Sequence, residues 1–452
     1  MYAGDRKVAA EHQSDARTAG YPLVVLAATG VVLLVLNILA NADRQVITIL
    51  VRPLEQDLRL NDFQMSLLLG PAFSLLYAVT GLPFGWAADR LSRRWIILAG
   101  AAVWGAATAL AGLAASFGQL LAARVGVGVG EASLTPSAWS TIVDVVPKSW
   151  LALAVSAYNT GVTIGGAVGL VLGGWLIDHV AAGPLAHLAG LAHLRPWQWV
   201  FLLLGAPAVL VAPFALLLPE TRKDHPQTDA PPPTWGSVFQ LMGQNKRAMA
   251  AAFLGGTGIV TITQAIGAWT PTFMHRAFHL SATTVGLYFG VLLFAVGTFG
   301  HFFVGATVDA LYRRGIKDAY LRYPAAALLL SIPCAIAAFL SHQAWLFLAL
   351  IGFFYLTTFP TMGVCLAATQ LMTPPLMRGR IVAAFLLCIH VVGSSIGAPF
   401  VGLLVTYGLR DPSKLGAAVC GVLALTGPLT IALLWQGMKP LRAFEASAAV
   451  ST

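Results

Sequence analysis

The chain has 452 residues, of which 58% are hydrophobic and 10% are charged, and its formal net charge is +9. Soluble domains carry about 25% charged residues, so this composition excludes an ordinary soluble protein and indicates an integral membrane protein. The basic residues are sorted by side of the membrane, as described below, so the positive charge does not indicate a nucleic-acid partner.

Apolar runs recur along the chain, each near the roughly 20 residues that an α-helix needs to cross a bilayer core of about 30 Å. The pattern predicts twelve transmembrane helices, at residues 23–50, 63–87, 95–115, 118–146, 150–178, 197–218, 247–272, 283–309, 322–341, 344–371, 379–407 and 414–437. The predicted fold class is therefore all-α integral membrane, with twelve transmembrane helices in two pseudo-symmetric six-helix halves.

A polar, proline-rich segment separates the sixth and seventh predicted spans and is interpreted as a linker. The predicted divisions are an N-terminal tail (1–20), an N-terminal half (21–219), the linker (220–244), a C-terminal half (245–438) and a C-terminal tail (439–452). An internal repeat supports two halves, because GWAADRLSRR at 85–94 aligns with GATVDALYRR at 305–314. This layout is expected of a transporter whose halves rock around a central site.

Basic residues are distributed unevenly between the two sides of these spans. Nineteen lie on the side of the N-terminus, and the other side has only Arg52, Arg59, Arg195, Arg276, Arg410 and Lys414. The positive-inside rule then predicts a multi-pass protein of the cell membrane with both termini in the cytoplasm. Nothing in the sequence demands more than a monomer.

Four charged residues, Asp43, Arg44, Arg124 and Glu131, fall inside predicted spans one and four. Each opposes insertion by about 2.5 to 3.5 kcal/mol, so the set would oppose it by roughly 10 kcal/mol if unpaired. Their charges sum to zero, and a rise of about 1.5 Å per residue places Asp43 at a depth between Arg124 and Glu131. We therefore predict that these residues pair with one another.

Helical geometry groups these charges with other polar residues. Residues about seven apart share a helix face, which gives one stripe of Asn37, Asn41, Arg44 and Thr48 and another of Arg124, Gly128, Glu131 and Thr135. Asp43 is turned about 100° from Arg44, so one of them should face the cavity and the other a neighbouring helix. Pro136 is expected to bend span four beside Glu131.

This arrangement has two interpretations. Burial disfavours the charged form of a carboxyl group and a nearby Arg favours it, so a movement that makes or breaks the pair would exchange a proton. The four charges would then couple transport to protons. Alternatively, they form a static network that only holds helices one and four together.

The remaining candidates for the substrate cavity are uncharged or weakly basic side chains within the spans: Asn37, Asn41, Thr48, Thr135, Tyr158, Asn159, Thr263, Gln264, His301, Tyr355 and His390. Any one of them can instead be a satisfied interhelical hydrogen bond. The four cysteines lie inside apolar spans without paired spacing, and no motif for a metal, a cofactor or a catalytic centre is found. The sequence therefore predicts no enzyme, metal or cofactor.

The first repeat copy, with Gly81, Phe84, Gly85, Asp89, Arg90, Arg93 and Arg94, resembles the loop signature between helices two and three of the major facilitator superfamily. The resemblance implies a conformational gate, with Asp309, Arg313 and Arg314 as its second copy. Gly85 would permit close helix approach, and the arginines would pair with acids across the interface between the halves. The alternative is that these arginines only anchor the topology.

Three stretches, DRQVITILVRPLEQDLRLNDFQ, GLPFGWAADRLSRR, and RVGVGVGEASLTPSAW followed by IVDVVP, resemble the bacterial branch of the Spinster family of major facilitator transporters. The resemblance is strong over about residues 41–178 and implies that Asp43, Arg44, Arg124 and Glu131 are coupling residues. It also implies protons as the coupling ion, the inner membrane of a bacterium as the location, and lysolipids or sphingoid phosphates as substrates.

One departure puts the substrate in doubt. Relatives have Asn, an aromatic residue, any residue and then Asp-Arg, whereas here Asn41 is two residues before Asp43 with no aromatic between them. Symporters of small organic anions such as sugar acids also carry Asp-Arg in helix one and Gly-Glu-Ala in helix four. A symporter of that kind, or a drug efflux carrier, is the alternative.

Overall fold

The computed structural model describes residues 21–180, 194–220 and 235–450, and within these ranges the regular structure is helical, without a strand. The predicted N-terminal tail and most of the predicted linker fall outside these ranges. The predicted divisions of the chain therefore stay predictions.

The described residues of the N-terminal half contain nine α-helices. They are α1 (Leu23–Val46), α2 (Val51–Leu58), α3 (Asp62–Leu69), α4 (Pro71–Arg90), α5 (Arg93–Ala111), α6 (Phe117–Glu131), α7 (Leu134–Val145), α8 (Lys148–His179) and α9 (Pro196–Val211), and a 3-10 helix (Ala212–Leu217) extends α9. Local sequence explains several starts: Asn61 and Gln64 form a capping box before α3, and Pro71 and Pro196 occupy first-turn positions.

Nine more α-helices lie in the described residues of the linker and the C-terminal half. They are α10 (Trp235–Gln244), α11 (Lys246–Phe278), α12 (Ala282–Arg313), α13 (Ala319–Phe339), α14 (Ala344–Thr358), α15 (Thr361–Leu371), α16 (Arg378–Cys388), α17 (Ser395–Leu403) and α18 (Leu415–Val450). Two π-helical segments, Ile389–Ser394 and Leu404–Leu409, flank α17. The predicted C-terminal tail is helical as far as Val450, because α18 continues through it.

Eleven helical segments of the described chain are long and apolar enough to cross a membrane. The twelfth span of the predicted fold is the pair α6 and α7, which carries Arg124 and Glu131 and is interrupted at residues 132–133. Pro136 has no N–H to donate to the carbonyl of Ala132, which explains why the interruption falls just after Glu131. Span one also ends earlier than predicted, at Val46 instead of residue 50.

Glycines bring α8 into close contact with α1, as their four-residue spacing predicts. A methyl group on Gly165 would lie 2.4 Å from the Ile38 carbonyl oxygen, and one on Gly169 would lie 2.3 Å from that of Ala42. No larger residue fits at either position without moving a backbone. This packing fixes the height of Asp43 and Arg44 relative to the rest of the N-terminal half.

The bundle has two ends. We call the end with the connections 91–92, 146–147 and 314–318 the linker end, and the end with residues 47–61, 112–116, 279–281 and 409–414 the opposite end. The halves pack tightly near the opposite end, where a methyl group on Gly286 of α12 would lie 2.2 Å from the Leu170 carbonyl oxygen of α8. The protein is therefore closed at the opposite end in this conformation.

Candidate substrate and proton site

Two crossed ion pairs join α1 to α6. Arg124 Nη1 lies 3.2 Å from Asp43 Oδ2, and Arg44 Nε lies 2.5 Å from Glu131 Oε2. The four charged residues therefore pair with one another as predicted, and each acid takes the base of the other helix. The sequence left open which acid pairs with which base, because depth alone does not decide it.

The two pairs differ in their environment. The Asp43 and Arg124 side chains are 3% and 2% exposed, so this pair is shut inside the N-terminal half. The Glu131 side chain is fully buried, whereas 28% of the Arg44 side chain is exposed on the wall of the central cavity. The prediction that Asp43 and Arg44 face different surroundings is confirmed.

Each acid uses one carboxylate oxygen for its ion pair. Among the described residues, neither Asp43 Oδ1 nor Glu131 Oε1 has a hydrogen-bond partner, although both atoms are buried. A buried acceptor without a donor is energetically costly. A bound proton would remove the buried charge, but the resulting O–H group would itself need an acceptor.

Glycines next to Glu131 let α6 pack closely against α4 and α5. A methyl group on Gly128 would lie 2.6 Å from the Phe73 carbonyl oxygen of α4, and one on Gly130 would lie 2.6 Å from the Trp104 nitrogen of α5. The sequence GVGVGE thus lets α6 nest between two helices. Glu131 is the next residue, and its carboxylate contacts the guanidinium of Arg44.

Two aromatic rings on α4 hold the Arg44 guanidinium. Its central carbon lies 4.8 Å from the Phe73 ring centroid and 4.6 Å from that of Tyr77, which are cation–π distances. The Tyr77 ring also contacts the His390 ring of the C-terminal half, 5.2 Å away edge to face. Arg44 is therefore oriented by Glu131 and two rings, and one of those rings contacts the other half.

The central cavity lies between the two halves and has a volume of about 270 Å³. Besides Arg44 and Arg124, six predicted residues line it: Asn41, Thr48, Thr263, Gln264, Tyr355 and His390. Most other lining side chains are apolar or aromatic, such as Leu69, Leu293 and Phe359. The cavity thus combines one accessible cation with a largely apolar wall.

Five predicted cavity residues do not line this cavity. Asn37 is buried and donates to the Tyr158 carbonyl at 2.7 Å, and Tyr158 is itself 5% exposed. Thr135, Asn159 and His301 are exposed elsewhere: Thr135 hydrogen-bonds the Tyr77 hydroxyl at 3.2 Å, and His301 Nδ1 lies 2.5 Å from the Gly297 carbonyl oxygen. Their assignment to the substrate site stays a prediction.

Sequence reasoning missed Phe73 and Tyr77, which cradle Arg44. The available signal was their four-residue spacing, which places two aromatic rings on one helix face. It also missed Gly70, which contacts the C-terminal half: a methyl group there would lie 3.0 Å from the Ser394 carbonyl oxygen. Such partners belong to other helices, so periodicity within one helix does not identify them.

The loop motif is arranged differently from the expectation in this conformation. Arg93 pairs with Asp144 of its own half, and Arg94 lies 3.6 Å from Glu220 at the first position of the predicted linker, so neither of these two pairs reaches an acid of the C-terminal half. A methyl group on Gly85 would meet no atom within 4 Å, so the expected close helix approach is absent here.

The other members of the motif are at the linker end as expected. Arg90 stacks on Trp86 with its guanidinium carbon 4.5 Å from the ring centroid. In the second copy, Asp309, Arg313 and Arg314 are exposed at the linker end of α12. The Asp89 side chain lies outside the described residues, so the gating role of the motif stays a prediction.

Metal ions have no evident place in the part of the chain that the structure describes, since no group of three or more His, Cys, Asp or Glu residues is close enough to bind one. Cys334, Cys365, Cys388 and Cys420 are free thiols.

Comparison with known proteins agrees with this geometry. The sequence profile of the Major Facilitator Superfamily matches residues 33–398. The chain is 28% identical to an MFS-type efflux pump of Mycolicibacterium smegmatis (strain ATCC 700084 / mc(2)155) over 87% of each chain, and 23% identical to Protein spinster of Drosophila melanogaster over 60% of this chain and 44% of that one. The match thus spans less than half of the fly protein.

A solved structure gives the more specific likeness. It is the crystal structure of a bacterial homologue of the human lysosomal transporter Spinster in an inward-facing and unoccupied conformation, with a TM-score of 0.77, 26% sequence identity, and coverage of 93% of this chain and 97% of that chain. Together with the twelve-span architecture and the profile match, this shows that the chain belongs to the major facilitator superfamily and is a Spinster-like membrane transporter.

Proposed function

We propose that this transporter works by alternating access, is coupled to protons, and moves an amphipathic anion such as a lysolipid or a sphingoid phosphate. The observation that carries the proposal is the Arg44–Glu131 pair, with its accessible cation on the cavity wall and its acid buried behind it. The likeness to Spinster proteins, one described as a lysosomal transporter, supports the same class of function.

The coupling step is a competition for one guanidinium. When Glu131 is ionised, it holds Arg44 at 2.5 Å. A proton on Glu131 removes that charge, so Arg44 becomes available to an anion that enters the cavity from the linker end. Proton binding and substrate binding are thus linked through Arg44. We favour Glu131 over Asp43 as the proton site because Arg44, the partner of Glu131, is accessible from the cavity, whereas Arg124, the partner of Asp43, is buried.

Cavity size and chemistry favour an anionic head group with an apolar remainder. Binding sites for drug-sized molecules usually have volumes of about 300 to 1,000 Å³, so the cavity of about 270 Å³ holds a head group but not a whole lipid. An acyl chain would have to extend beyond it along apolar wall residues such as Leu293 and Val296. The anionic head group of a lysolipid would then contact Arg44, and its acyl chain would contact apolar side chains.

A small organic compound exported by the same pathway is the second candidate. It is favoured by the likeness to an efflux pump, which covers 87% of each chain, and by a cavity that encloses a small solute more completely than a lipid. An organic anion such as a sugar acid would use Arg44 in the same way. These candidates differ from the first in substrate and share its mechanism.

The test is flux of a labelled lysolipid in proteoliposomes containing the purified protein, with and without an imposed pH gradient, and protein-free vesicles as the blank. We expect flux that responds to the gradient in the wild type and flux without that response in Glu131→Gln. The matched control is Glu445→Gln, since Glu445 accepts a hydrogen bond from Tyr312 at the linker end, far from the cavity.

Each part of the proposal can fail separately. A Glu131→Gln variant with unchanged pH dependence would exclude Glu131 as the proton site. Lipid flux in the wild type that does not change with the pH gradient would show that the four charged residues form only a structural network. No lipid flux, together with flux of a labelled small organic anion, would transfer the assignment to the second candidate.

A further inference from the structure

A second cluster of acids and a base joins the two halves at the opposite end. Arg276, near the end of α11, places Nη2 at 3.0 and 2.9 Å from the two oxygens of Glu55 on α2, and at 2.8 Å from Asp62 Oδ1 at the start of α3. Its Nη1 donates to the Pro412 carbonyl at 3.2 Å. One guanidinium of the C-terminal half thus binds two acids of the N-terminal half.

The cluster is well shielded from solvent. The side chains of Glu55, Asp62 and Arg276 are 16%, 6% and 21% exposed. Both acids contact the same nitrogen atom, so their carboxylates are close neighbours, and two like charges in one partly buried site disfavour ionisation of one of them. One arginine cannot neutralise both acids.

Other charged groups border the same space, a cavity of about 950 Å³ at the opposite end. These groups are Arg52 on α2, His275 on α11, His279 directly after α11, and Arg410 and Asp411 in the segment before α18. Arg52 hydrogen-bonds His275, and Asp411 lies 3.9 Å from Lys414. These groups have their own partners or are exposed, so Arg276 is the base that contacts the two acids directly.

We propose that Glu55 and Asp62 form a second proton site, which binds one proton when the opposite end is closed. Proton binding from that side therefore favours the closed conformation. The proposal rests on the alternating access proposed above and is independent of the substrate. It gives a role to three residues that the central site does not use.

The electrostatic environment of Glu55 supports this assignment. Burial raises the pKa of Glu55 from about 4.5 to about 7, Arg276 opposes the rise, and Asp62 adds to it. If the halves separate at this end, Glu55 returns to water and its pKa falls back toward the ordinary value. Closure then takes up a proton between these two values, so falling pH favours the closed state.

Protonation does not break the contact between the halves. Arg276 keeps its ion pair with Asp62, and a protonated Glu55 can donate a hydrogen bond to the Asp62 carboxylate. The cluster of one base, one ionised acid and one neutral acid has no net charge, whereas two ionised acids leave an excess negative charge. Acid therefore stabilises this contact instead of disrupting it.

The experiment measures the distance between the halves at the opposite end as a function of pH, without measuring flux. Fluorophores are placed by noncanonical amino acids at Ala115 and Gln343, one in each half, which leaves the native cysteines in place. We expect the closed-to-open ratio of the wild type to rise by up to roughly 25-fold between about pH 8 and pH 5.5, since one proton is taken up on closing.

Variants separate the two proton sites. Glu55→Gln imitates the protonated acid, so its closed fraction should be high and independent of pH. Glu131→Gln should keep the pH response, because its proton site is elsewhere. The matched control is Asp57→Asn on the same short helix, which also removes one negative charge; its amide oxygen can still accept from one of the two donors of Asp57, Arg195 and Trp197. This variant should keep the response.

Three results would overturn the proposal. The first is a pH response that survives in Glu55→Gln, and the second is a response that disappears in Glu131→Gln only. The third concerns Arg276→Gln, which should open this end at both pH values: if its distances equal those of the wild type, the cluster does not hold the halves together. Failure of lipid flux would leave each of these distance measurements interpretable.

Discussion

Asp43 and Arg44 are neighbours on α1 and are expected to have different roles. Asp43 is enclosed with Arg124, and neither side chain exceeds 3% exposure, so this pair presents little surface to a substrate although Arg124 borders the cavity. Arg44 is 28% exposed on the cavity wall and can change partners. At the scale of single residues, the first pair is expected to control stability and the second to control transport.

Removing one member of the enclosed pair should destabilise the protein. Asp43→Leu leaves Arg124 buried without an acid, and Arg124→Met leaves Asp43 without a base, which costs about 3 to 5 kcal/mol in each case. The double variant should recover most of this loss, since replacing a buried pair by apolar residues of similar size is often neutral. The unfolding temperature in detergent measures this, and single variants as stable as the wild type would contradict it.

Charge alone should not replace Arg44. Arg44→Lys keeps a cation, but it loses the planar group that stacks between Phe73 and Tyr77 and binds Glu131. We expect the initial rate of lysolipid flux to fall by about tenfold, which corresponds to about 1.4 kcal/mol of lost interaction. Unaltered flux in Arg44→Lys proteoliposomes would show that the stacking is dispensable.

Sequence spacing predicted the different surroundings of Asp43 and Arg44, because side-chain direction on a helix follows from the backbone alone. It did not predict which acid pairs with which base, since Arg124 and Glu131 both lie at membrane depths that α1 can reach. The contact of Arg44 with the two aromatic rings of α4 was not predicted either. Contacts between helices depend on relative rotation and height, and these are set by packing of the whole bundle.

At the scale of elements, glycines determine where helices touch. The four-residue spacing in α8 predicted close packing correctly, but the sequence did not identify α1 as the partner of Gly165 and Gly169. The interruption of span four beside Pro136 was expected only as a bend. The π-helical segments around α17 have no counterpart in the predicted pattern.

A methyl group on Gly286 should hinder closure of the opposite end. It would lie 2.2 Å from a backbone oxygen of α8, in the other half, so Gly286→Ala strains only the closed state. Overpacking costs about 1 to 3 kcal/mol, which would shift the closed-to-open ratio by roughly 5- to 150-fold toward open. The distance between labels at Ala115 and Gln343 measures this shift.

The control for that variant is Gly118→Ala on α6, where a methyl group meets no atom within 4 Å. It reports the general effect of replacing a helical glycine by alanine, which is about 1 kcal/mol of helix propensity. If Gly286→Ala and Gly118→Ala gave the same distance distribution, the contact between α8 and α12 would not limit closure.

At the scale of the whole molecule, the described basic residues are concentrated at the linker end. Arg93, Arg94, Arg313 and Arg314 lie there, as do Lys439 and Arg442 near the end of α18, whereas the opposite end has Arg52, Arg276 and few others. Short loops on the cytoplasmic side of a membrane carry an excess of Lys and Arg. The linker end and both termini should therefore be cytoplasmic, and the proton site of Glu55 should sense the outer side.

Thiol labelling in intact bacterial cells tests this orientation with the full chain. Ser413 at the opposite end and Ser447 near the end of α18 are both exposed, so either can carry a single introduced cysteine. A membrane-impermeant maleimide should label Ser413→Cys in intact cells and Ser447→Cys only after permeabilisation, because the charge distribution places these positions on opposite sides. The wild type with its four native cysteines is the blank. The reverse pattern would invert the topology and place the Glu55 cluster in the cytoplasm.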